Sequence, residues 1–229
     1  MKIAIIGTGY VGLISGLGFA EFGFNVTCLD KDEERIQKLT SGLFPIYEPG
    51  LKKLFNKHYY KTKKITLSSN LKNAISKANI IFITVGTPSR RISNQADLDA
   101  VFKVVTEIST CIKKYTVIVT KSTVPVGTTK KIKVLLQRNL PENFFDVASN
   151  PEFLREGSAI NDFLRPERVV IGVDSKKAER ILKSLYRPLY ITGIPLVTTT
   201  VETAEIIKYA SNSFLATKIT FINEIANLC

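Results

Sequence analysis

Cysteine is scarce in this sequence and poorly spaced for chemistry. There are three, Cys28, Cys111 and Cys229. An odd number set far apart excludes a disulfide framework and a zinc site, and fits a reducing cytoplasm. The one histidine, His58, sits in the polar run Asn56-Lys57-His58-Tyr59-Tyr60 with no nucleophile beside it, so it receives no role. No apolar run reaches the roughly 18 to 20 residues of a membrane span. The amino end, Met1-Lys2 and then a glycine-broken apolar strand, lacks the small-residue cleavage site of a secretory signal. Low-complexity tracts and internal repeats are also missing. Acidic residues are outnumbered, 20 against 32 basic, for a net charge of +12. The lysines, among them Lys52, Lys53, Lys61, Lys130 and Lys131, are scattered and not interleaved with aromatic residues. That pattern reads as a solvated surface that draws small anions rather than as a nucleic-acid face.

What remains is a chain of 229 residues, 45% apolar, long enough to bury a full core. Its opening carries the first chemistry. Lys2 to Ile6 reads as a buried parallel strand. Gly7-Thr8-Gly9-Tyr10-Val11-Gly12 follows at once, then a small and apolar stretch to Gly23 suited to a buried helix, then a strand from Asn25 to Leu29 ending at Asp30. In this arrangement Gly7 makes the tight turn, Gly9 lets a pyrophosphate approach the backbone, and Gly12 lets the helix pack on the strand. The helix N-terminus offers free N–H groups and a positive dipole end to that pyrophosphate. Asp30 lies 18 positions beyond Gly12, where its carboxylate accepts from the adenosine ribose hydroxyls. The order strand, motif, helix, strand, acid makes dinucleotide binding the expectation. Asp30 favours NAD over NADP, since a 2′-phosphate would face its charge. Arg35 softens that preference, because it can bond a ribose hydroxyl or shield a phosphate.

Further strands are expected at 78–85, 116–120, 146–149, 169–173 and 196–198, with a helix over 97–113. Residues 42–49, GLFPIYEP, form a turn-rich loop, and 89–95 reads as a mobile one. Strands alternating with helices imply an α/β fold, a Rossmann-like doubly wound parallel sheet with helices on both faces. Polar or glycine-bearing motifs follow four strand ends: GTGYVG, GTP, STVPVG and NPEFLREG. Ligands bind outside the carboxyl ends of such strands, so four loops are expected to converge on one crevice. Asn150-Pro151 reads as an N-cap with proline at the first helical position, which would put Glu152 and Glu156 one turn apart on one face. From about Glu202 one long helix is expected, with Lys208 and Asn212 sharing a face. Each of these features also has a plain reading: hydroxyls such as those of Thr87 and Thr123 cap helices, carboxylates near a helix start meet its dipole, and a Lys–Asn pair is often a solvated stripe.

Taken together, GTGYVGL at the start, PIYEPGL at 45–51, VGTP at 85–88, KSTVPVGTT at 121–129, NPEFLREGSAINDFLRPERVVIG at 150–172 and ETAEIIKYASNSFLATKITFINEIANLC at 202–229 resemble the N-terminal part of the nucleotide-sugar dehydrogenases. The resemblance runs over essentially the whole chain. Its RPERVVIG segment looks like the UDP-glucose branch rather than the GDP-mannose branch. The resemblance implies an NAD-dependent oxidation of a sugar C6 alcohol to a carboxylate, in two successive hydride transfers, with a cysteine holding a thiohemiacetal and then a thioester. UDP-glucose is the implied substrate and UDP-glucuronate, a precursor of surface polysaccharides, the product. Rival readings are a dehydrogenase of GDP-mannose or a UDP-aminosugar, and a non-catalytic NAD-binding module.

Carried onto this sequence, the resemblance implies cofactor contacts at Gly7, Gly9, Tyr10, Val11, Gly12, Asp30, Arg35, Thr87, Thr123 and Glu156. It implies substrate contacts at Glu152, Phe153, Leu154, Arg155, Glu156, Lys208 and Asn212. Glu152 matches the family's acid/base residue, Thr123 sits where it can order a catalytic water, and Lys208 and Asn212 match the residues that hold the sugar and stabilise the oxyanion. Donors preset in this way contribute about 3 to 4 kcal/mol each. No metal is implied. Residues 1–199 are expected to form the cofactor domain, and 200–229 the start of a helix that links two domains and forms a homodimer core. Cys28, inside the second strand, reads as buried and inert. Cys229 follows a helix pattern, whereas the family's nucleophile lies in a Gly-Ser-Cys-Phe-Pro-Lys-Asp loop that these residues lack. The chain is therefore expected to be a truncated product or fragment without the C-terminal UDP-sugar domain, cytoplasmic, and with little or no dehydrogenase activity of its own.

Overall fold

The computed structural model describes residues 1–90 and 95–229. Its strands are β1 (Lys2–Ile6), β2 (Asn25–Leu29), β3 (Ile65–Ser68), β4 (Ile80–Ile83), β5 (Thr116–Thr120), β6 (Phe145–Ser149), β7 (Val169–Val173) and β8 (Leu196–Thr199). They form one sheet in the order β3-β2-β1-β4-β5-β6-β7-β8. All pairs are parallel except β6 with β7, which run antiparallel. The expected doubly wound sheet is thus present with one reversed junction. The chain order reverses between β1 and β4, the switch point at which such sheets open a crevice.

The helices are α1 (Tyr10–Glu21), α2 (Glu33–Thr40), α3 (Leu51–Asn56), α4 (Leu71–Lys77), α5 (Asp99–Ser109), α6 (Thr128–Gln137), α7 (Ala159–Leu164), α8 (Lys176–Leu185), α9 (Arg187–Ile191) and α10 (Val201–Leu228). They cover both sheet faces, and two apolar cores result. One gathers Ile3, Ile5, Leu17, Phe19 and Phe82 with α1, α7 and α8. The other gathers Ala4, Ile6, Ile81, Val105, Ile118 and Ile132 with α4, α5 and α6. Alternate residues of each central strand feed opposite cores, which is why β1, β4 and β5 are almost wholly apolar.

Two expectations need correction, and the edge strand β3 was not among the strands expected. The helix over 97–113 is shorter, Asp99–Ser109. Residues 150–155 are not helical, and the helix in that segment begins only at Ala159. His58, given no role, is buried among polar partners: one ring nitrogen lies 2.6 Å from Glu21 Oε2 and the other 3.1 Å from Thr62 Oγ1. Of the loop expected to be mobile, residues 91–94 lie outside the described residues, and Ser89 bridges to Ala96.

The last helix has two characters. Val201, Ala204, Glu205 and Lys208 are buried against the sheet. Gly172 of β7 allows this, since a Cβ there would lie 2.6 Å from Ala204 Cβ and 2.7 Å from the Thr200 carbonyl. Beyond Ser211 the helix is exposed, with Phe214, Leu215, Ile219, Phe221, Ile222 and Ile225 uncovered. Among the described residues no helix is long and apolar enough to cross a membrane.

Candidate functional site

The dinucleotide loop is locked from three sides. Gly7 adopts φ +102°, a left-handed conformation that suits glycine, and its N–H donates to the Leu29 carbonyl. Thr84, at the end of β4, donates its hydroxyl to the carbonyls of Ile6 and Gly7, both at 2.9 Å. Thr8 donates its N–H and its hydroxyl to Asp30 Oδ2, both at 2.9 Å. A Cβ on Gly12 would sit 1.8 Å from the Gly7 carbonyl oxygen, so only hydrogen fits. A Cβ on Gly9 would meet nothing within 4 Å, which leaves open space above the backbone where a pyrophosphate needs it.

Asp30 also accepts from Asp32 N–H at 3.1 Å and pairs with Arg35 at 3.3 Å. Burial acts to raise its carboxyl, but the Thr8 and Asp32 bonds and the Arg35 guanidinium prevail and hold it below its ordinary value. Asp30 is therefore an ionised acceptor fixed at the tip of β2. These features fit a dinucleotide: the N–H groups of Gly9 to Gly12 open α1, as a pyrophosphate requires, and an ionised acceptor stands at the end of β2, as a ribose requires. Val11 is half-buried in the first turn of α1.

Tyr10 does something different. Its hydroxyl bonds Glu48 Oε2 at 2.9 Å and the Arg155 carbonyl at 3.1 Å. Glu48, buried, also accepts from the N–H groups of Gly157 and Ile160. The Pro45–Leu51 loop thus pins the turn before α7, and Tyr10 ties both to α1.

The four motif loops do converge, and hydrogen bonds close them into a ring. Thr84 joins the loop after β1 to that after β4. Thr87 donates to the Thr123 carbonyl at 2.8 Å, and Ser122 to the Val85 carbonyl at 2.6 Å, joining the loops after β4 and β5. Lys121 Nζ donates to Asn150 Oδ1 at 3.1 Å, joining those after β5 and β6. Tyr10 with the Arg155 carbonyl returns the ring to its start.

Beside this ring lies a cavity of about 360 Å³ lined by Lys121, Asn150 and residues 151–155, by 161–163 and 165–169, and on α10 by Lys208, Ser211, Asn212 and Leu215. Lys208 Nζ pairs with Glu152 Oε1 at 3.0 Å, and both groups are largely buried. Glu152 Oε2 accepts from Leu154 N–H at 2.5 Å. The Phe153 ring has Lys208 Nζ 5.3 Å and the Arg168 guanidinium 4.8 Å from its centroid, so both cations lie over a π-system. Arg155 is forked onto Asp162, at 2.7 and 3.0 Å. Asn212 is exposed at the mouth.

Of the residues singled out in the sequence, the structure brings Glu152, Phe153, Leu154, Arg155, Lys208 and Asn212 to one cavity, while Gly7, Gly9, Tyr10, Val11 and Gly12 form the loop after β1 and the first turn of α1, with Asp30 after β2 and Arg35 on α2. Thr87 and Thr123 lie on the hydrogen-bonded ring. Glu156 is exposed in the turn and does not line the cavity, and with no helix at 150–155 it does not share a face with Glu152. Asn150 caps nothing. Its Oδ1 accepts from Lys121 and from Tyr186, the latter at 2.5 Å, and its Nδ2 donates to the Val170 carbonyl.

Three residues escaped sequence reasoning: Lys121, Glu48 and Glu205. Glu205 is 2% exposed. Its carboxylate accepts from Gly127 N–H at 2.7 Å, Thr129 N–H at 2.8 Å and the Thr129 hydroxyl at 2.6 Å. It caps α6 from another helix. All three stand inside the quoted motifs, and a polar residue expected to be buried there was the available signal. Cys28 is fully buried, its thiol pushed up to about 12 by loss of solvent.

Residues 1–190 match the NAD binding domain of the UDP-glucose/GDP-mannose dehydrogenase family, and residues 202–229 its central domain. The UDP-glucose 6-dehydrogenase of Rhizobium meliloti (strain 1021) is 51% identical over 231 residues, which cover 100% of this chain and 53% of that protein. UDP-glucose 6-dehydrogenase TuaD of Bacillus subtilis (strain 168) is 49% identical, covering 100% and 49%. The chain spans about half the length of the curated relatives it matches. A solved UDP-glucose dehydrogenase from Pyrobaculum islandicum superposes with a TM-score of 0.92 at 35% identity, over 98% of this chain and 52% of that one. A GDP-mannose dehydrogenase from Pseudomonas aeruginosa, solved as a ternary complex, gives the same TM-score, identity and coverage. The matched domain is an NAD binding domain, so the cofactor is NAD. The chain belongs to the UDP-glucose/GDP-mannose dehydrogenase family.

Proposed function

We propose that these residues are the NAD-binding half, with part of the sugar site, of an enzyme that oxidises UDP-glucose to UDP-glucuronate. The observation that carries this is the Glu152–Lys208 pair. It joins a loop of the cofactor fold to the long helix inside one cavity, next to the NAD cleft. Identities of 49 to 51% with UDP-glucose 6-dehydrogenases support the UDP-glucose reading, while the structural likeness to the GDP-mannose enzyme makes GDP-mannose the first alternative substrate to assay.

In this reading residues 1–199 hold NAD and 200–229 begin the connecting helix. The N–H groups opening α1 hold the pyrophosphate, Asp30 and Arg35 the adenosine ribose, and Thr87 and Thr123 the far end of the cofactor. When bound, NAD accepts the hydride released from the sugar C6. Glu152 moves the proton that leaves the alcohol, and Thr123 orders water. Lys208 and Asn212, one turn apart, place an ammonium and an amide where negative charge develops on the sugar oxygen. Such donors act strongly because they are set before the charge appears. The backbone of Phe153 to Arg155 binds the sugar nucleotide.

None of the three cysteines suits the nucleophile. Cys28 and Cys111 are buried, and Cys229 follows the exposed part of α10. The 229 residues alone therefore bind NAD without turning over. The uncovered apolar residues of α10 fit a second copy of the chain, giving a homodimer.

Calorimetric titration with NAD, then with UDP-glucose or GDP-mannose, beside an assay of NADH production, tests this. NAD binding without turnover is expected. Clear turnover by these residues would make Cys229 the nucleophile and overturn the assignment, and absence of NAD binding would overturn the cofactor half.

A further inference from the structure

The stretch from Glu152 to Gly157 contains no helix or strand, so its shape is set by what holds its backbone. Three carboxylates do this. Glu152 takes the Leu154 N–H at 2.5 Å, Asp162 the Arg155 N–H at 2.9 Å, and Glu48 the Gly157 N–H at 2.9 Å. Glu152 and Asp162 are local to the segment, and each has a cation, Lys208 and Arg155. Glu48 is brought from the Pro45–Leu51 loop. It is buried, and among the described residues no cation stands within ion-pair distance of it. Its oxygens accept from Gly157, from the Ile160 N–H at 3.3 Å and from the Tyr10 hydroxyl at 2.9 Å, as a buried carboxylate without a counter-ion requires.

Tyr10 is the first residue of α1. Its N–H is one of the free donors that open the helix, where a pyrophosphate binds. Its side chain leaves that turn for the other site: the hydroxyl proton lies between Glu48 and the Arg155 carbonyl, the latter at 3.1 Å. Burial and the Glu48 carboxylate push the hydroxyl above its ordinary range, so it stays a donor at neutral pH. Other contacts join α1 and the apolar core to the same segment. Phe163 of α7 packs on Gly18, where a Cβ would lie 2.1 Å from its ring, and Leu154 packs on the core. These seat α7 and one side chain. Among the described residues, Tyr10 alone reaches from the phosphate turn to the backbone of the loop.

We propose that Tyr10 and Glu48 are positioning residues of the sugar site, a link through which NAD on the phosphate turn stiffens the loop that meets the sugar nucleotide. A phosphate bonded to the N–H groups opening α1 fixes the turn from which Tyr10 projects, and ordering one end of a short link removes motion at the other. By reciprocity the same bonds make NAD and the sugar nucleotide favour each other's binding. This deepens the assignment of the Phe153–Arg155 backbone to the sugar nucleotide made above and rests on it.

The test uses the 229-residue chain and needs no turnover. Amide exchange, read by NMR on nitrogen-15 labelled protein with and without NAD, is compared in the wild type, Tyr10→Phe and Glu48→Gln. Calorimetry on the same samples sets an NAD concentration that saturates each. In the wild type NAD is expected to slow exchange at Gly157 and Ile160 by about threefold or more. Tyr10→Phe keeps the ring and is expected to lose that slowing, whereas a tyrosine that served the fold alone would leave the NAD response intact. Glu48→Gln turns an NH₂ toward a donor and is expected to speed both amides about tenfold, with or without NAD. Slowing that persists in Tyr10→Phe overturns the proposal. So does saturating NAD that slows neither amide in the wild type, or exchange unmoved by Glu48→Gln. Should Glu48→Gln fail to fold, Tyr10→Phe decides. UDP-glucose added to the same samples reads the parent assignment separately: no shift at Phe153 to Arg155 with the NAD response intact would count against that assignment alone, and shifts there without an NAD response against the link alone. A wild type that binds no NAD would overturn the link together with the cofactor half.

Discussion

Replacing Glu205 by alanine removes one carboxylate from α10 and leaves three donors of α6 without their acceptor: the N–H groups of Gly127 and Thr129 and the Thr129 hydroxyl. The hydroxyl can rotate to another acceptor. The two N–H groups cannot, because they point out of the first turn of a helix. Each buried donor left unpaired costs about 1 to 3 kcal/mol. The lost charge at the positive end of the helix adds about 1 kcal/mol. Some collapse or entry of water offsets part of this, so a loss of about 4 kcal/mol is expected, a large fraction of the stability of an ordinary domain. With a urea slope of about 2 kcal/mol per M, the midpoint falls by about 2 M at unchanged slope. Glu205→Gln keeps one acceptor oxygen but turns an NH₂ toward a donor, and falls between the two. Urea unfolding followed by circular dichroism gives both numbers. An alanine variant within about 1 kcal/mol of the wild type would refute the reasoning, since it would mean that the cap is satisfied in some other way.

Alanine at Gly12 places a Cβ 1.8 Å from a carbonyl oxygen and is expected to abolish NAD binding in calorimetry and to cost about 3 kcal/mol or more. Alanine at Gly9 meets nothing, so it changes stability by less than about 1 kcal/mol while weakening NAD; equal stability losses in the two variants would refute the packing argument. Asp30, held below its ordinary value, contributes stability that is complete above about pH 4 and disappears as pH falls through its depressed folded value. The Tm difference between wild type and Asp30→Asn should therefore be full at neutral pH and vanish in acid, and a difference that grows as pH falls would contradict this. Ellman's reagent should titrate Cys229 alone in the native chain, because Cys28 and Cys111 are buried; reaction of Cys28 at the rate of Cys229 would refute that burial.

The first thirty residues were readable because each signal is local. An apolar run bounded by glycine makes β1, the glycine spacing makes the turn and α1, and a polar residue after a second apolar run marks the tip of β2. Where local grammar and tertiary demand diverge, the reading failed. Asn150-Pro151 has the form of a helix start, yet the Asn150 side chain is taken by Lys121, Tyr186 and Val170 from three other elements, and Pro151 sits equally well in an extended loop. His58 has polar neighbours in sequence, but Glu21 on α1 draws it inward. The edge strand β3 is four residues long between lysines and serines, too short to show alternation. Glu48 and Glu205 accept from residues 38 to 112 positions away, and no spacing rule reaches that far.

The same distant contacts explain how one sheet holds two adjoining sites in register. The glycine loop after β1 and the cavity that holds the Glu152–Lys208 pair share no continuous stretch of chain. They share the ring of hydrogen bonds through Thr84, Thr87, Ser122, Lys121, Asn150 and Tyr10, and they share α10. That helix caps α6 with Glu205, and α6 carries the loop that contains Thr123. Three residues further along the same helix, Lys208 reaches Glu152. A shift of α10 relative to the sheet would therefore disturb Thr123 and the Glu152–Lys208 pair together. The helix is seated by its first eight residues, packed over Gly172, and not by the exposed turns beyond Ser211. Its buried start, rather than its length, sets the geometry of the site, so a bulky residue at Gly172 would act on both sites although it touches neither.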